Sequence, residues 1–186
     1  IDMRGDLIQY RKFDTEEALL ASFHKFWCAN RPDIITGWNS RFFDIPYLIN
    51  RIARIGTFEA VKRLSPWNMV NERNTEITGR TQYGYEIVGI QQADYLELFK
   101  KFGYSYGAQE SYKLDHIAHV VLGEKKLSYE EHGNLYTLYK EDHQRFIDYN
   151  IKDVQLVNRI EEKMGLIQLA QTMAYRGGVN LQDTFG

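Results

Sequence analysis

The stretch that decides the fold is Asp33-Ile34-Ile35-Thr36-Gly37-Trp38-Asn39, which is followed by a helical pattern from Asp44 to Ile55. The first part is a short β-branched run closed by glycine, which is typical of a buried strand. The second part repeats apolar residues at helical spacing, with Pro46 in the first turn, where a helix tolerates proline. A strand followed by a helix is the repeating unit of an α/β sheet, so this stretch predicts an α/β fold.

The segments before this stretch predict another strand and another helix. Residues 6–13 alternate loosely between apolar and polar side chains and predict a short strand. Residues 14–17 (Asp-Thr-Glu-Glu) are typical of a helix start, because Asp or Thr caps free N–H groups and acids favour the first turn. Pro32 is expected to end that helix. The order of strand, helix, strand and helix agrees with the α/β prediction.

The rest of the chain predicts one β-hairpin and several helices. Two strand-like runs flank a polar, glycine-containing centre within residues 70–90, which predicts a hairpin with a protruding tip. Helical patterns follow at residues 91–102 and 111–122, and a long one covers residues 141–174. The sequence has no internal repeat, no low-complexity segment and no evident linker. We therefore assign residues 1–186 to one domain.

The composition excludes several classes of protein. With 186 residues, 44% hydrophobic and 26% charged, the chain can bury a core, so general disorder is excluded. Lys and Arg number 23 against 25 Asp and Glu, and this balance excludes a histone-like protein that relies on a basic surface. This charge balance still allows the protein to bind nucleic acid locally or through metal ions. The single cysteine, Cys28, excludes an internal disulfide and a four-cysteine zinc site.

The apolar runs and the first residues of the chain bear on membrane insertion and secretion. No stretch approaches 18 consecutive apolar residues, so no transmembrane helix is predicted. The chain begins at Ile1 without an initiator methionine, and its first residues do not have the pattern of a signal peptide. We interpret the sequence as an excised piece of a longer protein.

The last long helical pattern contains a carboxylate on an otherwise apolar face. Spacings of three and four residues place six side chains on that face: Phe146, Tyr149, Asp153, Val157, Ile160 and Met164. A buried carboxylate needs a cation, hydrogen-bond donors or a raised pKa. The structural alternatives are that the face turns toward solvent at Asp153, or that a Lys or Arg pairs with it. Tyr149 either buries its ring in the ordinary way or holds its hydroxyl beside the space in front of Asp153.

Asp44 is the second candidate for chemistry. It follows a predicted strand and begins a predicted helix, so ordinary helix capping is one explanation. Ligands of α/β proteins, however, collect at the carboxyl ends of strands, and residues 39–44 lie at such an end. The sequence leaves both explanations open.

Several motifs occur together and in a fixed order. They are Asn39-x-x-x-Phe43-Asp44, Ser111-Tyr112-Lys113-Leu114-Asp115-His116-Ile117-Ala118 with Leu122-Gly123, and Tyr149-Asn150-x-x-Asp153. The first and last of these resemble the second and third exonuclease motifs of family B DNA polymerases, and the middle one is similar to a further signature of the same proofreading domain. Residues 94–101 and 143–145 are similar to the polymerases of large tailed bacteriophages.

This resemblance implies a fold and a reaction. The fold is a ribonuclease-H-like (DnaQ-like exonuclease) α/β fold, here missing its first strands, with an inserted β-hairpin. The reaction is 3′→5′ hydrolysis of single-stranded or frayed primer DNA with two Mg²⁺ or Mn²⁺ ions in the complete domain. Asp44 and Asp153 match two of the four carboxylates that hold the ions, and Tyr149 matches the residue that positions the attacking water.

The resemblance also implies substrate contacts. Asn39 and Phe43 match positions that line the pocket of the terminal nucleotide, where an aromatic face can stack on any base. Lys126 aligns with a lysine near the scissile phosphate; a solvated surface lysine is the alternative. The hairpin at 70–90 resembles one that helps to separate the primer strand. Tyr83 near its tip either stacks on a base or is an ordinary exposed aromatic.

The implied partners are the primer 3′ end as single-stranded DNA, the remainder of the DNA polymerase and, through it, a replication clamp. No membrane partner is implied. The implied location is the cytoplasm, which for a phage protein is that of the infected bacterial host.

The first motif of the family, an Asp-x-Glu pair on the first strand, has no matching position on a predicted strand. Asp14-Thr15-Glu16 has the right letters, but we assign it to a helix start. We expect the missing pair to precede Ile1, and we expect the isolated chain to bind metal weakly and to hydrolyse DNA poorly or not at all.

Two other functions remain open at this point. The chain is either a catalytic part of the exonuclease or a non-catalytic module that holds single-stranded DNA or supports the polymerase. A different ribonuclease-H-like nuclease, such as a resolvase or an RNA-cleaving enzyme, is the third alternative. Those enzymes usually lack the Ser-Tyr-Lys-Leu-Asp stretch at 111–115 and the hairpin.

Overall fold

The computed structural model describes residues 8–77, 79–124 and 133–185. Contacts along the chain separate it into two compact units. The first unit comprises Ile1–Asp33 and Asp44–Ile90, and the second comprises Ile34–Phe43 and Gln91–Gly186. The assignment of the whole chain to one exonuclease domain stays a prediction.

The first unit contains helices and a β-hairpin. Its elements are α1 (Glu16–Asn30), α2 (Asp44–Ile55), α3 (Phe58–Lys62), β2 (Val70–Ile77) and β3 (Arg80–Ile87). The two strands pair antiparallel from Val70 opposite Ile87 to Ile77 opposite Arg80, which confirms the predicted hairpin. The bounds of α2 also agree with the predicted helix.

The core of the first unit is built around α2. Its buried face presents Ile45, Ile49 and Ile52, one helical turn apart, and the helix contacts α3 and β3. The buried indole of Trp27 in α1 donates a hydrogen bond of 2.9 Å to the carbonyl of Leu64. This bond satisfies the one polar atom of the ring.

The second unit combines two parallel strands with a group of helices. Its elements are β1 (Ile34–Gly37), β4 (Gln91–Asp94), α4 (Tyr95–Phe102), α5 (Leu114–Leu122), α6 (Leu135–Glu141), α7 (His143–Met164) and α8 (Leu166–Gly177), with 3₁₀ helices at Tyr104–Tyr106 and Leu181–Thr184. Strands β1 and β4 pair in parallel, from Ile34 opposite Gln91 to Gly37 opposite Asp94. The carboxyl ends of both strands therefore lie side by side.

Helices α4, α5, α7 and α8 share one apolar core with strand β4. Its buried members are Ala93, Tyr95, Leu98, Phe99, Leu114, Ile117, Ala118, Val121, Leu156, Val157, Ile160, Leu166, Ala170, Ala174 and Leu181. The Tyr95 ring is fully buried, and its hydroxyl donates a 2.8 Å hydrogen bond to Glu161 on α7. Burial and this negative neighbour raise the pKa of Tyr95 far above its ordinary value, so the phenol stays protonated.

Two strand and helix predictions were wrong. Residues 8–13, the described part of the strand predicted at 6–13, do not form a strand and are mostly exposed. The helix predicted at 91–102 begins only at Tyr95, because Gln91–Asp94 pairs with β1 as strand β4. Each residue of β4 pairs with a residue of β1 that lies 57 positions earlier in the chain. The local sequence pattern does not reveal these hydrogen bonds.

The prediction of one continuous helix at 141–174 is also wrong, since two helices, α7 and α8, cover this range and α6 ends at its first residue. Asp142 begins α7 by accepting a hydrogen bond of 3.0 Å from the Arg145 N–H. Gly165 ends α7 with a φ of 61°, a left-handed conformation that favours glycine.

The α/β prediction is confirmed at the level of a mixed α/β fold. Among the described residues, no helix combines the length and apolar character that crossing a membrane requires.

Candidate active site

The loop of residues 38–43 leaves β1 at the shared carboxyl end of the two parallel strands. Asn39 has a φ of 64°, and its carbonyl accepts a hydrogen bond of 3.2 Å from the Phe43 N–H. Asn is one of the few residues besides glycine that adopt this left-handed conformation at low strain. The turn brings Asn39 and Phe43 together, and the Phe43 ring is 66% exposed.

A buried carboxylate holds this loop from β4. Asp94 is 1% exposed, and it accepts hydrogen bonds from the main-chain N–H groups of Asn39 (3.1 Å) and Arg41 (2.9 Å). It also accepts one from Leu96 (2.9 Å), which caps α4. Burial raises the pKa of Asp94, and the N–H donors of Arg41, Leu96 and Asn39 oppose that rise.

Sequence reasoning missed Asp94, because it placed the residue inside a helix. The available signal was an aspartate directly before a run of apolar residues at helical spacing, which is the ordinary pattern of a helix cap.

Two further contacts support the same loop. The Arg41 guanidinium donates to both carboxylate oxygens of Glu97 at 3.1 Å. The Trp38 indole N–H donates to the carbonyl of Tyr112 at 3.0 Å, and its ring stacks on Tyr95 with centroids 6.3 Å apart. The loop is therefore attached to α4 and to the segment before α5 as well as to β4.

The second part of the candidate site lies on α7. The six side chains of the predicted face, Phe146 to Met164, are all buried or partly buried, which confirms the helical spacing. Tyr149 is 9% exposed; Asp153, one turn later, is partly buried, and its Oδ1 atom is inaccessible to solvent. Val157 and Ile160 carry the same face into the core of the second unit.

Two cations of α7 are engaged by another carboxylate. Lys152 Nζ lies 2.9 Å from Glu124, and Arg159 also pairs with Glu124. Glu124 thus pairs with both cations, and the three groups together keep one net positive charge.

Asp44 is the first residue of α2 and belongs to the first unit. The residue is exposed as a whole, but its carboxyl group loses part of its hydration against the protein, and this raises its pKa. Its own main-chain N–H acts in the opposite direction. Among the described residues, no Lys, Arg or His pairs with Asp44. It is thus an incompletely compensated acid at the start of a helix.

The acids at the start of α1 have a different environment. Thr15 caps α1 by accepting a hydrogen bond of 3.2 Å from the Ala18 N–H, which confirms the predicted helix start. Glu16 pairs with Arg51 of α2, and this hydrogen-bonded pair lowers the pKa of Glu16. The Asp14-Thr15-Glu16 triplet therefore begins a helix, as predicted, and is not on a strand.

Of the two remaining predicted substrate contacts, the structure describes one. Tyr83 lies on β3 opposite Asn74 and is 66% exposed, so its ring is accessible. Lys126 lies outside the described residues. The roles of both side chains stay predictions.

The donor chemistry of the candidate site suits a hard divalent ion only in part. The carboxylates of Asp44 and Asp153 are ligands that Mg²⁺ and Mn²⁺ prefer. Among residues 8–77, 79–124 and 133–185, however, no group of three or more His, Cys, Asp or Glu side chains could hold an ion. The described residues thus supply suitable donors without forming a complete cage.

Comparison with known proteins shows the family. Residues 5–117 match the model of the DNA polymerase family B exonuclease domain. The chain belongs to this family. The match confirms the resemblance of this exonuclease-family chain that its motifs predicted.

Individual polymerases match nearly the whole of this exonuclease-family chain. It is 39% identical over 180 residues to the DNA-directed DNA polymerase of Escherichia phage RB69, covering 97% of the chain and 20% of that polymerase. It is 35% identical over 170 residues to the DNA-directed DNA polymerase of Enterobacteria phage T4, covering 91% of the chain and 18% of that polymerase. The chain thus spans about a fifth of the length of these relatives. Both matches extend beyond residue 117, where the family model ends.

Proposed function

We propose that the chain is part of the proofreading domain of a DNA polymerase and removes 3′-terminal nucleotides from single-stranded or frayed primer DNA. The observation that carries this proposal is Asp153, a partly buried carboxylate one turn after buried Tyr149 on α7, in a chain of the exonuclease family. The parallel pair β1–β4 and the loop at its carboxyl end support a ribonuclease-H-like fold whose first strands are not among the described elements.

Each candidate side chain has a proposed role. Asp44 and Asp153 supply two of the carboxylates that hold two Mg²⁺ or Mn²⁺ ions in the complete domain. Such ions lower the pKa of an attacking water and stabilise the charge that develops on the phosphate and the departing 3′ oxygen. The Tyr149 hydroxyl orients the water. Asn39 and Phe43 hold the terminal nucleotide, and the exposed Phe43 ring is available for stacking on its base.

Two predicted contacts complete the proposal. Lys126 approaches the scissile phosphate. Tyr83, exposed on β3, stacks on a base when the hairpin helps to separate the primer strand. An exposed aromatic suits this role because every base presents a π face.

The Asp-x-Glu pair of the family supplies the other two carboxylates. Since Asp14-Thr15-Glu16 begins α1 and Glu16 is paired with Arg51, this triplet does not provide them. We therefore propose that the 186-residue chain alone binds the ions weakly and hydrolyses DNA poorly or not at all. The rest of the polymerase and a replication clamp are its proposed partners, in the cytoplasm of an infected bacterial host.

The decisive experiment replaces Asp153 in the polymerase that carries this chain. Asp153→Ala should reduce Mg²⁺-dependent release of nucleotides from a 3′-labelled single-stranded oligonucleotide by at least about 100-fold, because a metal ligand is lost. Primer extension by the same variant should stay near the unchanged rate. Asp148→Ala, an exposed carboxylate on another face of α7, is the matched control and should change neither activity. Loss of both activities in Asp153→Ala would contradict the proposed division of functions.

Tyr149→Phe tests the proposed role of the hydroxyl. The ring stays in place, and water still reaches the ions, so hydrolysis should fall about tenfold, less than in Asp153→Ala. An equal loss in the two variants would show that Tyr149 does more than orient water.

The exposed side chains of Phe43 and Tyr83 favour one second function: a module that holds single-stranded DNA without cleaving it. This function predicts that oligonucleotide binding is unchanged by EDTA and by Asp44→Ala. Metal-dependent binding that Asp44→Ala weakens would contradict it.

A further inference from the structure

Asp94 joins two segments that lie far apart in the chain. Its carboxylate, at the carboxyl end of β4, bonds to the N–H groups of Asn39 and Arg41, which are 55 and 53 positions away. An unpaired buried carboxylate is strongly unfavourable, and main-chain N–H donors are the compensation that this site provides. Because the residue is 1% exposed, its carboxylate is not available to DNA or to a metal ion. Any effect that it has on a reaction must pass through the loop.

The loop that Asp94 holds has a conformation that needs outside support. Asn39 is left-handed, with a φ of 64°. A Cβ added to Gly37 would approach the Cβ of Ser40 to 2.9 Å, so the chain turns back tightly at this point. Left-handed residues persist where surrounding structure determines them. The hydrogen bonds from the main-chain N–H groups of Asn39 and Arg41 to Asp94 fix the orientation of the main chain on both sides of Ser40.

The side chains carried by this loop are those proposed to bind the terminal nucleotide. Asn39 is exposed, and Phe43, held by its N–H bond to the Asn39 carbonyl, is 66% exposed. Neither side chain has the packing that would fix a core residue. The position of both therefore depends on the main chain beneath them.

We propose that Asp94 is a positioning residue for the terminal-nucleotide pocket, because its carboxylate sets the main chain that carries Asn39 and Phe43. The inference rests on the proposed function, since it takes these two side chains as nucleotide contacts. It assigns a role to a residue that is not among the candidate site residues predicted from the sequence, one that touches neither substrate nor metal. Asp94 also has a second role, since its carboxylate caps α4 by accepting a hydrogen bond from the Leu96 N–H.

Variants at residue 94 separate the two roles. Asp94→Asn has nearly the same shape but replaces one acceptor oxygen with an NH₂ group, which cannot accept a bond from the loop. Asp94→Ser keeps a good helix-capping side chain but is too short to reach the loop with two acceptors. Glu97→Gln is the matched control: it weakens the Arg41 ion pair at the edge of the same loop and leaves the carboxylate of Asp94 in place.

The first measurement is amide hydrogen exchange on the 186-residue chain. In Asp94→Asn the remaining oxygen can still accept from Asn39 and Leu96, so exchange should speed about tenfold at Arg41, whereas Asp94→Ser should speed it about tenfold at both Asn39 and Arg41. Exchange in β1 should be unchanged, and the helix signal should stay that of the unaltered chain. Rapid exchange at Asn39 and Arg41 before any substitution, or equal exchange in all variants, would overturn the inference.

The second measurement is binding of a 5′-fluorescent single-stranded oligonucleotide in EDTA, where no hydrolysis occurs. The dissociation constant should rise about tenfold in Asp94→Asn and Asp94→Ser, the effect of one misplaced stacking contact. It should change less than about twofold in Glu97→Gln, since this ion pair is partly open to solvent and its loss leaves the bonds from Asp94 to the loop in place. Phe43→Ala should reproduce the loss, and combining it with Asp94→Asn should add almost nothing.

The outcomes distinguish this inference from the proposed function. If the polymerase shows no exonuclease activity but the exchange and binding changes occur, the inference stands and the proposed hydrolysis fails. An unchanged dissociation constant in Asp94→Asn overturns the inference even where Asp153→Ala abolishes hydrolysis. Failure of the unsubstituted chain to bind the oligonucleotide also overturns it, since no pocket would then be positioned.

Discussion

The starts of α1 and α2 look alike in sequence and differ in structure. Each presents an acid in the first helical turn, Glu16 in α1 and Asp44 in α2. Arg51 neutralises Glu16 and lowers its pKa, whereas the pKa of Asp44 is raised and no cation among the described residues pairs with it. An acid whose charge the fold compensates has a structural explanation. An acid left uncompensated in a nuclease family is a candidate metal ligand.

The largest expected effect is on hydrolysis. In the proposed parent polymerase, Asp44→Asn should lower the proposed Mg²⁺-dependent exonuclease activity at least about 100-fold, because a neutral amide is a poor ligand for a hard cation. Glu16→Gln should leave the activity within about twofold, since its partner is an arginine and not a metal ion. Release of labelled nucleotides from the 3′ end measures both. Equal losses in the two variants would remove the distinction between the helix starts.

A smaller effect is expected on stability. Thr15→Ala removes the side-chain acceptor that caps α1 and should lower the free energy of unfolding by about 1 kcal/mol, with exonuclease activity unchanged. Urea denaturation of the 186-residue chain measures this change. Thr57→Ala is a matched control, because Thr57 caps the short helix α3 by accepting from Ala60 N–H. A loss of hydrolysis in Thr15→Ala would show that the start of α1 has more than a structural role.

The smallest expected effect is a pair of pH dependences with opposite signs. The lowered pKa of Glu16 means that its stabilisation is present above its ordinary pKa of 4.5 and is lost as pH falls through the lower pKa of the folded state. The raised pKa of Asp44 means that its stabilisation is present below its ordinary pKa of 3.8 and is lost as pH rises through the higher folded pKa.

Matched variants measure these signs. The deficit in unfolding free energy of Glu16→Gln should be greater at neutral pH than near pH 3, the acid end of the titration range of carboxyl groups. The stability of Asp44→Asn relative to the unaltered chain should instead improve as pH rises. Urea midpoints collected across this range test both directions in solutions without divalent ions. Two curves of the same sign would show that the helix starts are electrostatically equivalent.

Much of the local structure could be predicted from the sequence. The bounds of α2, the hairpin and the cap of α1 depend on residues within a few positions of one another. The shared face of Tyr149 and Asp153 follows from helical geometry over four residues. The motif with Asn39, Phe43 and Asp44 also predicted the family, which the match over residues 5–117 confirms. Each of these features is encoded in a short stretch.

Other features depend on partners distant in the chain. Gln91-Gln92-Ala93-Asp94 has little strand propensity, and it forms β4 because β1 lies beside it. The same pairing brings Asp94 to the N–H groups of Asn39 and Arg41, and this contact turned a residue predicted to be helical into the anchor of a loop. Gly165 is a case in which a local signal was overlooked. Glycine commonly ends helices, but the apolar pattern continues across residue 165 and predicted one continuous helix.

The sequence by itself determined the family, the order of most elements and the candidate carboxylates, because helical spacing, capping and motif identity are local properties of the chain. Only the tertiary structure decided that Glu16 is neutralised, that no cation within residues 8–77, 79–124 and 133–185 pairs with Asp44, and that Asp94 holds the loop after β1. The physical reason is that the state of a charge depends on the donors, cations and solvent around it. In this chain those neighbours come from elements that are 35 to 55 residues away.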